Sequence, residues 1–133
     1  MKKSIFAGAM ALTVTTFAAP VGFFDAIAAA AAQGDAARGQ KLYIQCAYCH
    51  GNNGEGAGAG PSLRGVVGRK AAGDPAFAYS DAMKGAGIVW TDAKLHEFLA
   101  NPRTSVPRTR MIFVGVRKAT DQDDIIAYLK TLK

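Results

Sequence analysis

Helical spacing of apolar residues is clearest in two segments of the C-terminal half of the chain. Leu95, Phe98 and Leu99 stand at positions i, i+3 and i+4, a spacing that places them on one face of a helix. Thr91 is a residue type that caps helix starts, and Asn101-Pro102 is a signal that ends them. The second apolar stripe lies next to the C-terminus and comprises Ile125, Ile126, Tyr128, Leu129 and Leu132.

This last helix is predicted to begin at residues 120–123, where Thr-Asp-Gln-Asp forms a weak capping box with acidic groups at the positive end of the helix dipole. Its apolar stripe needs a covering partner. Gly39 and Tyr43 are the candidate, because both lie on one face of a helix predicted from Asp35 through Cys46. Glycine costs about 1 kcal/mol in a helix relative to alanine, which close approach of another helix would explain. The alternative is a helix that starts only after Gly39.

The rest of the chain contains one short helix and two long loops. Ser80 is placed to cap a helix that ends at Gly85. Residues 51–73 are rich in glycine, which prevents regular structure but lets the backbone lie close to a flat group. The pattern over residues 103–119 also predicts a loop. There is no internal repeat and no βαβ alternation, and helix signals dominate.

Residues 1–32 differ from the rest of the 133-residue chain and predict a cleaved secretory signal peptide. Two lysines open it, an apolar stretch over residues 5–19 follows, and small residues precede the expected cleavage site. An uncleaved membrane anchor is the alternative, but Pro20 and Asp25 interrupt the roughly 20 apolar residues that a spanning helix needs. We therefore expect export to the periplasm and a single domain over residues 33–133, without stable membrane insertion.

The predicted mature chain is basic. Without the leader it has 14 lysine and arginine residues against 9 acidic ones, a formal net charge of +5. This balance favours a partner with an acidic surface. Nucleic acid is the other possibility, but no recognition motif supports it and the export signal argues against it.

The chemistry of the chain is concentrated in Cys46-Ala47-Tyr48-Cys49-His50. Cys-x-x-Cys-His is the signature of covalent haem attachment. On one helical turn the two thiols reach the two vinyl groups of one porphyrin and form thioethers, and the following histidine binds the iron. The motif predicts one covalently attached haem c per chain, with Cys46 and Cys49 holding the porphyrin and His50 ligating the iron.

Three other interpretations of the cysteine pair are weaker. A thioredoxin-type pair follows a strand in a βαβ unit, which the sequence lacks. A zinc site needs four ligands, and the mature chain offers only Cys46, Cys49, His50 and His96. Of these, His96 is predicted to be a solvated surface side chain. A structural disulfide leaves His50 and the glycine-rich loop unexplained.

The second axial position of the iron decides the function. An open position would allow gas binding or peroxide chemistry, whereas a side-chain ligand suits electron transfer. Met83 and Met111 are the candidates in the mature chain. Met83 lies in the short predicted helix, where packing is the simpler role. Met111 lies in a loop that can bend its thioether onto iron, so we favour Met111. A peroxidase, a ligand sensor and a cysteine redox protein are the competing function classes.

From residue 34 to the C-terminus the chain resembles the class I cytochromes c of the mitochondrial and alphaproteobacterial type. The resemblance covers nearly the whole predicted mature chain. Besides the haem signature, the matching segments are residues 60–63, 68–70, 77–80, 87–90, 101–102, 111–113 and 124–130. It implies the all-α cytochrome c fold, with three to five helices wrapped around one haem and the first and last helices crossing at Gly39, Tyr43 and Tyr128.

The resemblance also implies roles for single residues. It makes Met111 the distal iron ligand, and the Pro61 carbonyl the group that orients the ring of the proximal histidine. Arg69, Tyr79 and Trp90 match the residues that hold a buried haem propionate, a carboxylate that needs hydrogen-bond donors.

The chain departs from the family pattern around Met111. Arg108 stands where a glycine is common, so the turn must avoid positive φ or carry strain. Phe98 and Met83 stand where a tyrosine and an asparagine are usual, which leaves Thr109 as the polar group of that set. We predict that the internal water of the family is absent or displaced here, because a buried water needs two or more polar partners.

The implied function is that of a mobile single-electron carrier and not an enzyme. The resemblance places basic residues around the exposed haem edge, namely Lys41, Arg103, Arg108, Arg110, Arg117 and Lys118. They would steer a short-lived encounter with acidic docking surfaces on a quinol-oxidising cytochrome complex, a terminal oxidase or a reaction centre. The chain is expected to act as a monomer.

Overall fold

A computed structural model describes residues 34–133, and the predicted signal peptide lies outside them. In that range the helices are α1 (Ala36–Leu42), α2 (Ile44–His50), α3 (Asp81–Lys84), α4 (Asp92–Ala100), α5 (Pro102–Ser105) and α6 (Ala119–Leu129). The described residues contain no strand, only an isolated antiparallel bridge between Lys70 and Val89. The prediction of an all-α fold is confirmed. None of the helices within residues 34–133 has the length and apolar character needed to cross a membrane.

α1 and α2 form one almost continuous helix. Asp35 caps its start as predicted, and its carboxylate accepts two backbone N–H groups. Tyr43 alone separates α1 from α2, and its backbone is itself helical, with φ −63° and ψ −16°. Its carbonyl accepts from the amides of Cys46 at 2.7 Å and Ala47 at 3.0 Å, which tightens one turn without ending the helix. When α1 and α2 are counted as one helix, the described residues contain five helices, which is within the predicted range of three to five.

α6 packs directly on α1, and Gly39 makes this contact possible. A Cβ atom at residue 39 would overlap the backbone carbonyl of Asp124 and would lie 2.9 Å from the Cβ of Tyr128. One turn further along α1, the rings of Tyr43 and Tyr128 pack with their centroids 5.1 Å apart. The predicted contact between the last helix and the face of Gly39 and Tyr43 is confirmed.

The two predicted apolar stripes meet in one core. The α6 segment contributes side chains that are each less than a tenth exposed: Ile125, Ile126, Tyr128, Leu129 and Leu132. α4 contributes Leu95, Phe98 and Leu99, which are buried to the same extent. The two helices pack against each other. Because α6 also covers α1, it is the central element of the fold.

An ion pair ties α1 to α6 beside Gly39. Arg38 binds Asp124 at two points, with Nε 2.7 Å from Oδ2 and Nη2 2.8 Å from Oδ1. The backbone N–H of Asp35 donates to the same carboxylate at 2.6 Å. The hydrogen bond from Arg38, supported by that from Asp35, holds the pKa of Asp124 below its usual value although burial acts in the opposite direction.

The loops and the other caps are mostly as predicted. Residues 51–73 contain no helix. Ser80 caps α3, with its Oγ accepting from the Met83 amide at 3.2 Å. Thr91 caps α4 through the Lys94 amide at 3.3 Å.

The predicted capping box at residues 120–123 is wrong. α6 begins one residue earlier, at Ala119, and has no side-chain cap. Two side chains of the predicted box bind other residues instead. The Gln122 amide donates to a loop carbonyl, and the Asp123 carboxylate binds a histidine of α4.

Part of the predicted loop over residues 103–119 is also helical. Asn101 ends α4 and at the same time caps α5, since its side-chain oxygen accepts from the Thr104 amide at 3.1 Å. Pro102 occupies the first turn of α5, where its missing N–H removes no helical hydrogen bond. The Asn-Pro pair therefore separates two helices instead of starting a loop.

Replacing Gly39 by alanine should destabilise the protein, although alanine is the better helix former by about 1 kcal/mol. The added Cβ forces α1 away from α6, and overpacking of this kind costs about 1–3 kcal/mol. Urea unfolding of the holoprotein measures the difference. Gln40→Ala, on the exposed side of the same turn, is the control and should change the free energy of unfolding by less than about 0.5 kcal/mol. Wild-type stability in Gly39→Ala would contradict the close helix contact.

Asp124→Asn should reduce the free energy of unfolding by about 1–3 kcal/mol at pH 7, because it removes the charged acceptor of a buried hydrogen-bond set. The folded-state pKa of Asp124 is below its ordinary value of 3.8. The stabilisation by the Asp124 carboxylate is therefore present above pH 3.8 and is lost as the pH falls through the lower pKa of the folded state. The difference between wild type and variant should narrow in acid. Asp81→Asn, which removes an exposed partner 3.5 Å from Lys84, should have little effect at either pH.

Candidate cofactor-binding site

The two cysteines lie on α2 as a pair of free thiols. They are three residues apart, so they lie on neighbouring positions of one helix face, and both are half-buried. Burial, with a smaller contribution from Cys49, raises the pKa of Cys46 to about 11. The Cys46 thiol is therefore protonated at neutral pH, which argues against thiol–disulfide catalysis, where the attacking thiol needs a low pKa.

His50 is the last residue of α2 and is only 7% exposed. Its Nδ1 lies 2.8 Å from the carbonyl oxygen of Pro61. A carbonyl only accepts, so Nδ1 carries the proton and Nε2 is left with a free lone pair. Burial lowers the pKa of His50, although the hydrogen bond to Pro61 opposes the shift. A neutral imidazole with one nitrogen oriented by a backbone carbonyl is the form in which histidine ligates a metal.

Arg69 contains an unusual polar atom. Its Nη1 and Nη2 donate to the carbonyls of Arg64 at 3.0 Å and Ser62 at 2.5 Å. Its Nε is buried and has no hydrogen-bond partner among the described residues. A buried donor of a charged group without an acceptor is costly, so this atom fits an anionic group such as a haem propionate.

Trp90 and Tyr79 lie close to Arg69. The Trp90 amide donates to the Arg69 carbonyl at 2.9 Å, and the Trp90 ring is buried against Phe98 with centroids 4.9 Å apart. Tyr79 is half-buried and packs edge-on against Phe77. Burial raises the pKa of Tyr79, and the nearby Arg69 charge acts in the opposite direction. The structure thus brings the three residues proposed for a propionate into one neighbourhood.

Met111 lies in the loop between α5 and α6. It is half-buried and packs against the core, and its amide contacts Thr109 Oγ1 at 3.3 Å. Arg108 has a φ of +66°, so the loop takes the strained alternative of the two that the sequence left open. Arg110 donates to the Ala78 carbonyl and ties this loop to the segment before α3.

Met83 and His96, which the sequence also offered as possible metal ligands, lie in different surroundings. Met83 is buried in α3 with its amide capped by Ser80. The prediction that His96 is a solvated side chain is wrong, because it is 32% exposed and binds Gln122 and Asp123 of α6. Within residues 34–133 no three His, Cys, Asp or Glu side chains are grouped so that they could hold a metal ion.

The groups that orient Arg69 were not among the predicted site residues. Asp74 accepts from the Ser62 amide at 2.8 Å and from the Ala76 amide at 3.0 Å, and so fixes the loop whose carbonyls bind the guanidinium. Asp followed by Pro75 is a turn signal, and it was the available hint that this segment folds back on itself.

The comparisons with known proteins agree with this geometry. The cytochrome c family model matches residues 36–133. Cytochrome c2 of Afifella marina is 52% identical over 100 residues, which cover 71% of this chain and 80% of that protein. Cytochrome c of Euglena viridis is 48% identical over 101 residues, which cover 75% of this chain and 99% of that protein. The structure of cytochrome cH from Methylobacterium extorquens is similar with a TM-score of 0.70 and 49% identity, covering 74% of this chain and 99% of the other.

The matched region contains the Cys-x-x-Cys-His segment, and its helices correspond to those of a solved cytochrome. The chain therefore belongs to the cytochrome c family, and it is an electron-transfer protein with one covalently attached haem c, not an enzyme.

Proposed function

We propose that this chain is a mobile single-electron carrier in which His50 and Met111 would bind the haem iron. The observation that carries the proposal is the hydrogen bond between His50 Nδ1 and the Pro61 carbonyl, 2.8 Å long. It leaves Nε2 as the free nitrogen of a buried, neutral ring. Cys46 and Cys49, on the same helix, form the two thioethers.

When bound, the haem supplies a one-electron couple between ferric and ferrous iron. The residues of the chain set how easily that electron is held. A thioether from Met111 is a soft, weak donor that favours the ferrous state, and the apolar core around it disfavours the extra positive charge of the ferric state. Both effects raise the reduction potential.

Arg69, Tyr79 and Trp90 would hold one propionate. The buried Nε of Arg69 is the donor left over once Ser62 and Arg64 have taken the other two nitrogens. A carboxylate at that point gains a charge-assisted hydrogen bond. Thr109 supports the Met111 loop through its Oγ1 contact with the Met111 amide. Pro61 orients the His50 ring through its carbonyl.

The partner is a redox protein with an acidic docking surface, such as a quinol-oxidising cytochrome complex, a terminal oxidase or a reaction centre. The six basic residues proposed for docking are all exposed: Lys41, Arg103, Arg108, Arg110, Arg117 and Lys118. Exposed charges of one sign speed encounter with a partner of opposite sign and add little lasting affinity. A carrier needs that combination, because it must dissociate after each transfer.

We propose the periplasm as the site of action. Residues 1–32 have the pattern of a secretory signal, and the family match starts shortly after them, at residue 36. Cleavage near Ala32 would release residues 33–133 as a monomer with no membrane anchor.

Met111→Ala should abolish the red absorption band that arises from charge transfer between sulfur and iron. It should also lower the reduction potential by on the order of 0.2 V, within the span of about 0.8 V that axial ligands set. Absorption spectra and potentiometric titration measure both. Met83→Leu is the control, since it keeps the volume of a buried side chain in α3 and should retain the band. Loss of the band in Met83→Leu, with Met111→Ala unchanged, would reverse the assignment.

Electron transfer to an oxidase with an acidic docking surface should slow as the ionic strength rises from about 0.01 M to about 0.15 M, because salt screens exposed charges. At low salt, Arg103→Gln combined with Arg117→Gln should lower the second-order rate constant by about 3–10-fold.

The matched control is Lys84→Gln combined with Lys94→Gln. It removes the same net charge from residues that pair with acids on their own helices, Lys84 with Asp81 at 3.5 Å and Lys94 with Glu97 at 2.7 Å. A flat salt profile, or equal slowing by the two double variants, would argue against a localised docking surface.

A further inference from the structure

The loop that carries Met111 is anchored at its C-terminal end by Gly115 and Val116. Gly115 has a φ of +94° and a side chain there would overlap the Ala100 carbonyl, so glycine lets the loop lie against the end of α4. The Val116 amide donates to the Leu99 carbonyl at 2.8 Å. The Val116 side chain is 8% exposed. The loop is therefore held firmly a few residues after the methionine.

Gln122 of α6 holds the other side of Val116. Its Nε2 donates to the Val116 carbonyl at 2.6 Å, and the residue is 6% exposed. With its N–H bound to Leu99 and its C=O bound to Gln122, Val116 has both backbone groups satisfied inside the protein. The position of this end of the loop thus depends on the direction of the Gln122 amide.

His96 of α4 supports that direction. Because Nε2 of Gln122 faces Val116, its Oε1 faces Nδ1 of His96, at 2.8 Å. An amide oxygen only accepts, so the imidazole donates. The other ring nitrogen lies 2.7 Å from Oδ1 of Asp123. The Val116 carbonyl sets the direction of the Gln122 amide, and an N–H on Nδ1 of His96 supports the same direction. The His96 ring is in contact with two adjacent residues of α6.

We propose that His96 and Gln122 are positioning residues for the iron ligand: through the backbone of Val116 they fix the end of the methionine loop and keep the Met111 thioether in place. The inference rests on the proposed ligation by Met111. Neither residue acts on the iron directly. Weakening the anchor raises the population of loop conformations in which the sulfur is displaced, and an added ligand that binds only in those conformations then binds more tightly.

Three variants and one control test the relay. Gln122→Met removes both hydrogen bonds of the amide while keeping a side chain of similar length. His96→Ala removes the donor, and His96→Gln supplies an amide donor in its place. Asp92→Asn is the control, because Lys130 Nζ binds Asp92 Oδ2 at 2.6 Å and so bridges the same two helices without contacting the loop.

Two measurements on the purified holoprotein are needed: hydrogen exchange of the Val116 amide in the reduced form, and binding of imidazole to the oxidised form. Loss of one ordinary hydrogen bond corresponds to about a tenfold change in an opening equilibrium. We expect about tenfold faster Val116 exchange and about tenfold tighter imidazole binding in Gln122→Met and His96→Ala. In His96→Gln, the Val116 exchange rate and the imidazole affinity should each lie within about threefold of wild type. In Asp92→Asn, both should match wild type.

Unchanged Val116 exchange in Gln122→Met and His96→Ala would overturn the proposal. Equal acceleration in Asp92→Asn would also overturn it, since that result indicates general loosening between α4 and α6. Faster exchange without tighter imidazole binding would show an anchor that does not position Met111. Failure of the ligation by Met111 gives a different result, because the wild-type protein would then lack the sulfur-to-iron band whatever the variants do to Val116.

Discussion

The hydrogen bond between the His50 ring and the Pro61 carbonyl is the interaction on which the proposed function depends. It joins the end of α2 to the glycine-rich loop at 2.8 Å, and it selects the tautomer whose Nε2 is free. Burial lowers the pKa of the same ring, so the tautomer and the charge state both suit a metal ligand. The loop must fold back over the helix for this contact to form. The pairing of Arg69 with the Ser62 and Arg64 carbonyls stabilises that course, and it leaves one guanidinium nitrogen for an anion.

α6 connects the two halves of the site. One of its faces carries Asp124 and Tyr128 against α1, the helix that continues into the haem attachment segment. Its first turns carry Gln122 and Asp123 toward α4 and the methionine loop. A single helix of 11 residues therefore contacts the helix that leads to the proposed proximal ligand and the loop that contains the proposed distal ligand. This arrangement explains why the terminal helix needs both an apolar stripe and an unusual number of engaged polar side chains.

The parts of the fold that could be predicted from the sequence are those encoded locally. Apolar periodicity located α4 and α6. The cost of Gly39 in a helix indicated either a close neighbour or a later helix start, and the structure shows the close neighbour. The attachment segment could be named from spacing alone. Polar contacts between distant residues could not be predicted. Asp124 and its partner Arg38 are separated by 86 positions, and His96 lies off the apolar stripe of α4, which made it look solvated. Of its partners on α6, Asp123 lies off the stripe, whereas Gln122 continues the stripe three residues before Ile125 and is buried. A polar residue at a stripe position does not name its partner, so the pattern of each helix gave no sign of the contact. The capping box failed for the same reason, since tertiary acceptors and donors took its side chains.

Nitrogen NMR of the histidine rings in the reduced holoprotein tests the central claim most directly. The His50 ring should show a proton on Nδ1 that exchanges slowly with solvent, because it is buried against the Pro61 carbonyl, and no proton on Nε2, because that nitrogen binds iron. A proton on Nε2 of His50, or an Nδ1 proton that exchanges as fast as that of an exposed histidine, would contradict it.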